Sequence, residues 1–338
     1  MRWVLGFDGG GTKTDCVVAA ESGEVRGRAQ AGPSNPFRVG FGAALGALKE
    51  AAQKALAQAE AGTNGGPQPQ ASTGAAVKSH AAAQVGAGTN GVAAVCAGLA
   101  GVGQPADAEK MRALLAAEFP QAAVRICTDL ELALAAAPPG PAMVLVAGTG
   151  SAAIGRNASG EVARIGGHGP MISDEGSAYD IGRRAAMAAQ REYDRTGKDS
   201  DLGKRILREL GTPQWPELRK RIQAAPDEVF PRLFSVVAVF ADAGDQTSQE
   251  ILRTAAYKLA GIAATLAERL HLAENTFPLI KTGGMIGRSK HFDAHLHERL
   301  RVTLPQAVAG EPATAPAEAA VRMALELLRT AKATGRPK

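Results

Sequence analysis

Near the start of the chain lies a glycine-rich stretch whose residue types could bind phosphate, Gly6-Phe7-Asp8-Gly9-Gly10-Gly11-Thr12-Lys13-Thr14-Asp15. Apolar residues flank it on both sides, which predicts a tight turn between two strands. Consecutive glycines let backbone N–H groups point together and let an anion approach them closely, while Thr12 and Lys13 add a hydroxyl and a cation. A Walker A loop would need Gly immediately before its Lys, and a Rossmann turn would open a helix. The stretch is therefore predicted to be a phosphate turn of another kind.

The same turn occurs again further along the chain. A shift of 137 positions lays Gly11-Thr12 on Gly148-Thr149, and lays Ser-Gly-Glu-Val at 22–25 on the same letters at 159–162. Each copy is predicted to run strand, Gly-Thr turn, strand, Ser-Gly turn, strand. The repeat therefore predicts two related domains, and their two phosphate turns could clamp the β- and γ-phosphates of one nucleotide.

The second turn, Gly148-Thr149-Gly150-Ser151, follows a buried strand at 143–147. Its letters also match the GxGxxA pattern of dinucleotide-binding turns. A strand and a hairpin turn follow it, however, rather than the helix that would receive a pyrophosphate. A dinucleotide site is therefore disfavoured relative to a second phosphate turn.

Asp129 is the candidate general base. A predicted strand at 124–127 ends at Thr128-Asp129, and a predicted helix at 130–137 begins directly afterwards. Sites in open α/β sheets gather at the carboxyl ends of strands, and helix N–H groups would keep its carboxylate ionised. Asp is also a common helix N-cap, so the local sequence leaves both roles open.

Three further positions carry candidate ligands with an ordinary alternative beside each. His168, flanked by glycines, is either a ligand contact or an exposed loop residue. Asp174 is either a ligand or the cap of the helix that follows it. Gly283-Gly284, after a strand at 277–281, is either a surface for adenine or ribose or an ordinary β–α turn.

Length and composition favour a soluble protein of two domains. The chain has 338 residues, of which 45% are hydrophobic, which is enough to fill two cores. No apolar run approaches the roughly 20 residues that span a bilayer, and the first residues lack the pattern of a signal peptide. We therefore expect a cytoplasmic protein with no membrane partner.

Charge and cysteines exclude other classes. The 38 Lys and Arg exceed the 33 Asp and Glu, but with 4% aromatic residues and no basic cluster we expect no nucleic-acid partner. A binding site for an anionic small molecule would explain the excess of positively charged residues equally well. The cysteines, at 16, 96 and 127, stand singly in apolar segments and are expected to be core thiols rather than metal ligands or disulfides. A homodimer stays open.

The stretch 62–90 differs from the rest in composition. It is rich in Gly, Ala, Gln, Ser, Thr and Pro and contains one charged residue, Lys78. Such a segment cannot bury enough apolar surface to offset its ordering entropy. We expect a disordered surface loop and assign it no function.

Six motifs in this order carry a family resemblance: FDGGGTKTD, CAGLAG, TDLELAL, VAGTGSAAIGR, GGHGPMISDEGSAYDIG and TGGMIG. The chain resembles the BadF/BadG/BcrA/BcrD-type ATPases and, among them, the N-acetylglucosamine and glucosamine kinases. The resemblance implies the α/β, actin-like sugar-kinase fold, with duplicated βββαβαβα domains and a nucleotide cleft between them. It implies an N-terminal domain over 1–140, a C-terminal domain over 141–315, and a last helix over 316–338 that packs back on the first domain.

The resemblance also implies a set of site residues. Asp129 would be the catalytic base, and Asp8 would approach Mg²⁺ through water. The expected sugar ligands are Asn35, Asp129, Gly167, His168 and Asp174. The expected ATP ligands are Gly10, Gly11, Thr12, Lys13, Gly148, Thr149, Gly150, Gly283 and Gly284. The implied function is an ATP- and Mg²⁺-dependent kinase acting on a hydroxyl of an amino sugar.

The chain departs from the family pattern at four positions. His168 stands where the family usually has Trp, and Ser173, Ala100 and Glu131 also differ. An imidazole offers less apolar surface than an indole and adds polar groups. We therefore expect a more polar sugar pocket that favours a free amino sugar or an unacetylated hexose.

Two other functions stay open. One is an activator ATPase for a dehydratase or reductase, which shares the fold but needs paired thiolates for an iron–sulfur cluster. Three scattered cysteines do not offer such a pair. The other is a non-catalytic sugar sensor, a class that usually adds a helix-turn-helix.

Overall fold

The computed structural model describes residues 2–63 and 91–333. Residues 62 and 63 end a helix, and the remainder of the predicted 62–90 loop lies outside the described residues. The chain divides into two compact units. Unit 1 comprises Met1–Ala136 with Ala313–Lys338, and unit 2 comprises Ala137–Pro312. These boundaries fall a few residues before the 140/141 and 315/316 boundaries expected from the sequence.

Unit 1 is built on a five-stranded sheet of order β3-β2-β1-β4-β5. Its antiparallel strands come first in the chain, and β4 and β5 then run parallel to β1. The elements in chain order are β1 (Trp3–Gly9), β2 (Thr14–Ala20), β3 (Val25–Ala31), α1 (Pro36–Val39), α2 (Phe41–Thr63), β4 (Val92–Leu99), α3 (Pro105–Glu118), β5 (Ala123–Thr128) and α4 (Asp129–Ala136).

Unit 2 repeats this sheet, with order β10-β9-β6-β7-β8. The elements are β6 (Ala142–Ala147), β7 (Ser151–Arg156), β8 (Val162–Gly166), α5 (Ala178–Thr196), α6 (Asp201–Leu210), α7 (Trp215–Ala224), α8 (Pro226–Val229), α9 (Phe234–Asp242), α10 (Gln246–Arg269), β9 (Phe277–Thr282), α11 (Lys290–Thr303) and β10 (Ala307–Gly310). Helix α12 (Pro316–Ala333) follows in the chain and returns to unit 1. In both sheets the first strand is central, with a meander on one side and parallel strands on the other. The predicted duplicated α/β fold is confirmed.

The last helix belongs to unit 1. Side chains alternate along β1, so that Leu5 and Phe7 face α2 and α3 while Val4 faces the opposite side, where α12 packs. A Cβ at Gly6 would overlap the carbonyl oxygen of Ala317, so the glycine lets α12 lie directly on the strand. Burial of this apolar helix face holds α12 on the sheet.

The first turn is shorter than the sequence suggested. Strand β1 continues through Gly9, and only 10–13 form the turn. A Cβ at Gly9 would overlap Ser34 and Leu99, so this glycine permits close packing within unit 1 rather than approach of an anion.

Among the described residues, no helix is both long and apolar enough to cross a membrane.

Candidate active site

The first glycine turn organises one end of the unit 1 sheet. The N–H of Gly10 donates to the carbonyl of Lys13 over 2.9 Å and closes the turn. The carbonyl of Gly10 accepts from the N–H groups of Ser34 and Asn35, at 3.1 and 3.2 Å. Residue 35 is thereby fixed beside the turn, so the structure brings together a predicted phosphate turn and a predicted sugar ligand.

Asn35 itself is held from two sides. Its Oδ1 accepts from the N–H of Phe37 over 2.9 Å and caps the short helix α1. Its side chain also lies against Gly101, where a Cβ would overlap Oδ1 and where φ is +84°. The CAGLAG segment therefore packs on Asn35, and its last glycine is needed for that approach.

The two cations near the first turn differ in their contacts. Lys13 is exposed and its Nζ lies 2.8 Å from Asp15, which raises the pKa of the lysine. Gln30 also donates to Asp15, over 2.6 Å. Arg38, which the sequence reasoning missed, lies against Gly11, where a Cβ would be 2.9 Å from Nη1. Its position three residues after Asn35, on the same short helix, was the available signal.

Asp129 is the first residue of α4 and is exposed, but it is not the N-cap. Thr128 Oγ1 accepts from the N–H of Glu131 over 3.2 Å, and Glu131 Oε2 accepts from the N–H of Thr128 over 2.7 Å. This reciprocal pair is a capping box. Asp129 Oδ1 accepts from the adjacent N–H of Leu130 over 3.0 Å. The capping role that the sequence left open for Asp129 is therefore filled by Thr128.

Asp8 lies near the end of β1, opposite Asp15 in the strand pairing. Burial, together with the smaller effects of the negative charges of Asp15 and Asp129, raises the pKa of Asp8 to about 6, although Lys13 acts to lower it. The strand register sets the ends of these strands level, since Gly9 pairs with Leu99 and Leu99 pairs with Thr128. Asp8 and Asp129 therefore lie at the same edge of the unit 1 sheet. A partly buried carboxylate beside other carboxylates suits a divalent cation, whose charge would offset the repulsion.

The described residues contain no group of three or more His, Cys, Asp or Glu placed to hold a metal. Mg²⁺ usually takes one or two carboxylates and completes its shell with waters and substrate phosphates. Asp8 fits that mode of binding. The side chains of the described residues therefore do not form a complete magnesium site without water and substrate phosphates.

The second glycine turn organises the equivalent end of the unit 2 sheet, together with Asp174. The N–H of Gly148 donates to the carbonyl of Gly150 over 3.0 Å. Asp174 Oδ1 accepts from the N–H of Ser151 over 3.2 Å, and a Cβ at Gly150 would lie 2.8 Å from Asp174 Oδ2. The structure thus places this predicted sugar ligand directly on the predicted phosphate turn.

Asp174 is 8% exposed and has a φ of +64°. Burial raises the pKa of its carboxyl, which the Ser151 N–H and the charge of His168 partly offset. The cap of α5 is Ser177, whose side chain accepts from the N–H of Asp180. Ser177, rather than Asp174, is therefore the helix cap. The buried position and positive φ of Asp174 are typical of a functional residue.

Gly283 and Gly284 lie beside the same turn. A Cβ at Gly283, where φ is +109°, would overlap the carbonyl of Ala147, so only glycine fits there. A Cβ at Gly148 would be 3.7 Å from the N–H nitrogen of Gly284, while nothing lies within 4 Å of one at Gly284. The predicted adenosine surface is therefore adjacent to the predicted phosphate turn and open.

Gly167 and His168 follow β8. The N–H of Gly167 donates to the carbonyl of Ser151 over 2.9 Å, which ties this loop to the second turn. His168 is exposed, and its Nδ1 lies 3.5 Å from Nη2 of Arg164. Arg164 was not among the residues predicted from the sequence, although it precedes His168 by four positions.

Two sheets of the same unusual strand order, each carrying a Gly-Thr turn after its first strand, define the actin-like ATPase fold. The family is then given by sequence comparison. The model of the BadF/BadG/BcrA/BcrD ATPase family matches residues 5–323, and the chain belongs to this family. The family expected from the six motifs is confirmed.

Similar proteins span nearly the whole chain. The N-acetylmuramic acid/N-acetylglucosamine kinase of Clostridium acetobutylicum is 26% identical over 309 residues, which cover 90% of this chain and 92% of that protein. The N-acetyl-D-glucosamine kinase of Dictyostelium discoideum is 26% identical over 313 residues, which cover 90% of this chain and 91% of that protein.

Solved structures show the same fold. A Chromobacterium violaceum protein provisionally named an N-acetylglucosamine kinase aligns with a TM-score of 0.70 at 24% identity, over 97% of this chain and 99% of that chain. A ROK hexokinase from Thermus thermophilus aligns with a TM-score of 0.57 at 15% identity, over 98% of this chain and 100% of that chain.

Proposed function

We propose that this protein is an ATP-dependent cytoplasmic kinase that phosphorylates a hydroxyl of an N-acetylated hexosamine. One observation carries the proposal: Asp129 stands exposed at a strand end, at the same sheet edge as Asp8, while Thr128 and Glu131 cap the helix that follows. A carboxylate in this position is what phosphoryl transfer to a hydroxyl requires. The names of the two relatives from Clostridium acetobutylicum and Dictyostelium discoideum support the same reaction class.

Asp129 is the general base of this proposal. As the acceptor oxygen bonds to the γ-phosphorus, its proton passes to a carboxylate oxygen of Asp129. The bond from phosphorus to the bridging oxygen breaks, and ADP leaves with that electron pair. In unit 1, the N–H groups of the first glycine turn are proposed to bind phosphate. In unit 2, we propose the same role for the second glycine turn, with the open backbone at Gly283-Gly284 receiving the adenosine.

Asp8 is the residue that we propose to hold Mg²⁺, through water. The ion supplies positive charge that neutralises the phosphates. The pKa of Asp8, about 6, leaves its carboxyl mostly ionised at neutral pH. Asp8 would accept hydrogen bonds from water bound to such an ion.

We propose a sugar ligand in each unit: the amide of Asn35 in unit 1 and the carboxylate of Asp174 in unit 2. The sequence alone favoured a free amino sugar because of His168. Arg164, 3.5 Å from His168, adds positive charge there, and an ammonium group is disfavoured beside a guanidinium. An uncharged acetamido group meets no such repulsion. We therefore propose N-acetylglucosamine as the preferred acceptor, in line with the names of the relatives.

The test is sugar-dependent ATP turnover by the purified protein, followed as ADP release with N-acetylglucosamine, glucosamine, glucose or no sugar. A kinase consumes ATP mainly when an acceptor is present, since acceptor binding excludes water from the reacting phosphate. Equal turnover under all four conditions would instead favour an activator ATPase.

A further inference from the structure

We propose that Arg38 binds the γ-phosphoryl group of ATP and stabilises it during transfer. This inference rests on the proposed function only in placing the γ-phosphate at the first glycine turn. It concerns a residue that neither the glycine motifs nor the family comparison assigns to a site.

The first observation is the position of the guanidinium. A Cβ built on Gly11 would lie 2.9 Å from Nη1, 3.2 Å from Cδ and 3.5 Å from Cζ of Arg38. The side chain therefore lies over the middle of the predicted phosphate turn. The absence of a side chain at Gly11 permits this approach. The glycine therefore leaves space for the guanidinium of Arg38 as well as for a bound anion.

The second observation is the state of the neighbouring charges. Lys13, the cation expected from the sequence, forms a 2.8 Å ion pair with Asp15. Arg38 is exposed and forms no salt bridge within residues 2–63 and 91–333. Asp8 and Asp129 add further negative charge near the turn. A triphosphate that approaches these carboxylates needs an available cation, and Arg38 provides one.

The third observation identifies which phosphate is involved. Asp129 belongs to the same unit as Gly11 and Arg38, and the strand register sets Thr128 level with Gly9 through Leu99, at the sheet edge that carries the first turn. The phosphoryl group that moves to the acceptor must lie beside the base. The first turn therefore receives the γ-phosphoryl, and Arg38 contacts a group that ATP has and ADP lacks. A planar guanidinium with several N–H donors suits the equatorial oxygens of that group.

The test compares ATP and ADP affinity in Arg38→Met, which keeps an unbranched apolar stem over Gly11 and removes the charge. Affinities are measured by calorimetry, with Mg²⁺ and without sugar, so that the result does not depend on kinase activity. We expect ATP affinity to fall about 10- to 100-fold, the worth of a charge-assisted hydrogen bond, and ADP affinity to change little. Arg38→Lys should recover part of the loss. Turnover should fall by more than ATP affinity, because the charge on the phosphoryl oxygens is redistributed during transfer.

Arg112→Ala is the matched control, because Arg112 is an exposed arginine of the same unit that pairs with Glu109 on α3. It should leave both affinities unchanged. Equal losses for ATP and ADP in Arg38→Met, or no loss for either, would overturn the assignment. If no sugar is phosphorylated but Arg38→Met still lowers only ATP affinity, the phosphate contact stands and the proposed acceptor is wrong.

Discussion

Thr128 and Glu131 exchange two hydrogen bonds across the first turn of α4, over 2.7 and 3.2 Å. Thr128 Oγ1 also donates to Glu131 Oε2 over 2.9 Å. This pair satisfies helix N–H groups that Asp129 would otherwise have been expected to satisfy. The role of Asp129 and the stability of α4 can therefore be measured by separate substitutions.

Asp129→Asn should keep the fold and the affinity for ATP while turnover falls by about 10²- to 10⁴-fold, the usual worth of a general base. The amide retains the size of the side chain but cannot accept the acceptor proton. Steady-state kinetics, with nucleotide affinity measured separately, checks this prediction.

Glu131→Gln is the matched control for Asp129→Asn. It weakens the capping box and should lower stability by about 0.5–1 kcal/mol while turnover per folded molecule stays close to that of the wild type. If instead Asp129→Asn lowers the melting temperature and leaves turnover intact, Asp129 is a structural residue.

Asp8→Asn should stabilise the protein at neutral pH while activity falls. The folded pKa of Asp8, about 6, lies above its ordinary value of 3.8. Between these values the folded state holds more protons than the unfolded state, so this carboxyl costs stability as pH rises. The gain from Asn should be about 1–3 kcal/mol above pH 6 and should shrink as pH falls towards 4. Chemical denaturation at several pH values measures it; a gain that does not depend on pH would contradict the account.

Gly150→Ala should lower the affinity for the sugar by displacing Asp174. The added Cβ would lie 2.8 Å from Asp174 Oδ2, in a buried place where the carboxylate also accepts from Ser151. Overpacking of this kind typically costs about 1–3 kcal/mol. Thermal denaturation and the KM for the sugar check both effects.

Gly148→Ala makes a useful comparison for Gly150→Ala. Its Cβ would have no neighbour closer than 3.7 Å, so the melting temperature should change little. Equal destabilisation by the two substitutions would mean that the turn, rather than the contact with Asp174, is sensitive.

His168→Trp should shift specificity further towards N-acetylglucosamine, because an indole offers a larger apolar face to an acetamido methyl. One such contact is worth about 10- to 200-fold in kcat/KM. Arg164→Gln should instead raise the relative use of glucosamine, since it removes a positive charge beside His168. Ratios of kcat/KM for the two sugars and glucose test both variants. An unchanged ratio in His168→Trp would show that residue 168 points away from the acceptor.

The duplicated sheets were predictable because the Gly-Thr and Ser-Gly turns recur at a fixed shift between apolar runs. The extent of β1 was not predicted correctly. Gly9 looked like part of the turn, but it lies in the strand because Ser34 and Leu99 pack against it. Ser34 and Leu99 are distant from Gly9 in the chain, so their packing against it leaves no local pattern in the sequence.

The letters Thr-Asp-Leu-Glu at 128–131 fit a capping box, but Asp129 is also a common cap residue, so the sequence did not distinguish the two arrangements. Arg38 and Arg164 had only weak sequence signals, their spacing from Asn35 and His168, because their importance depends on contacts with Gly11 and His168 that folding creates. The raised pKa of Asp8 likewise depends on burial and on charges distant in sequence.

The central claim is phosphoryl transfer to an N-acetylated hexosamine. The most direct measurement is quantification of ADP and sugar phosphate together, after incubation of the purified protein with Mg²⁺, ATP and N-acetylglucosamine. We predict that the two products form one to one, that ADP release is slow without sugar, and that Asp129→Asn forms neither at an appreciable rate. ADP release at the same rate with and without sugar, and with no sugar phosphate formed, would contradict the account.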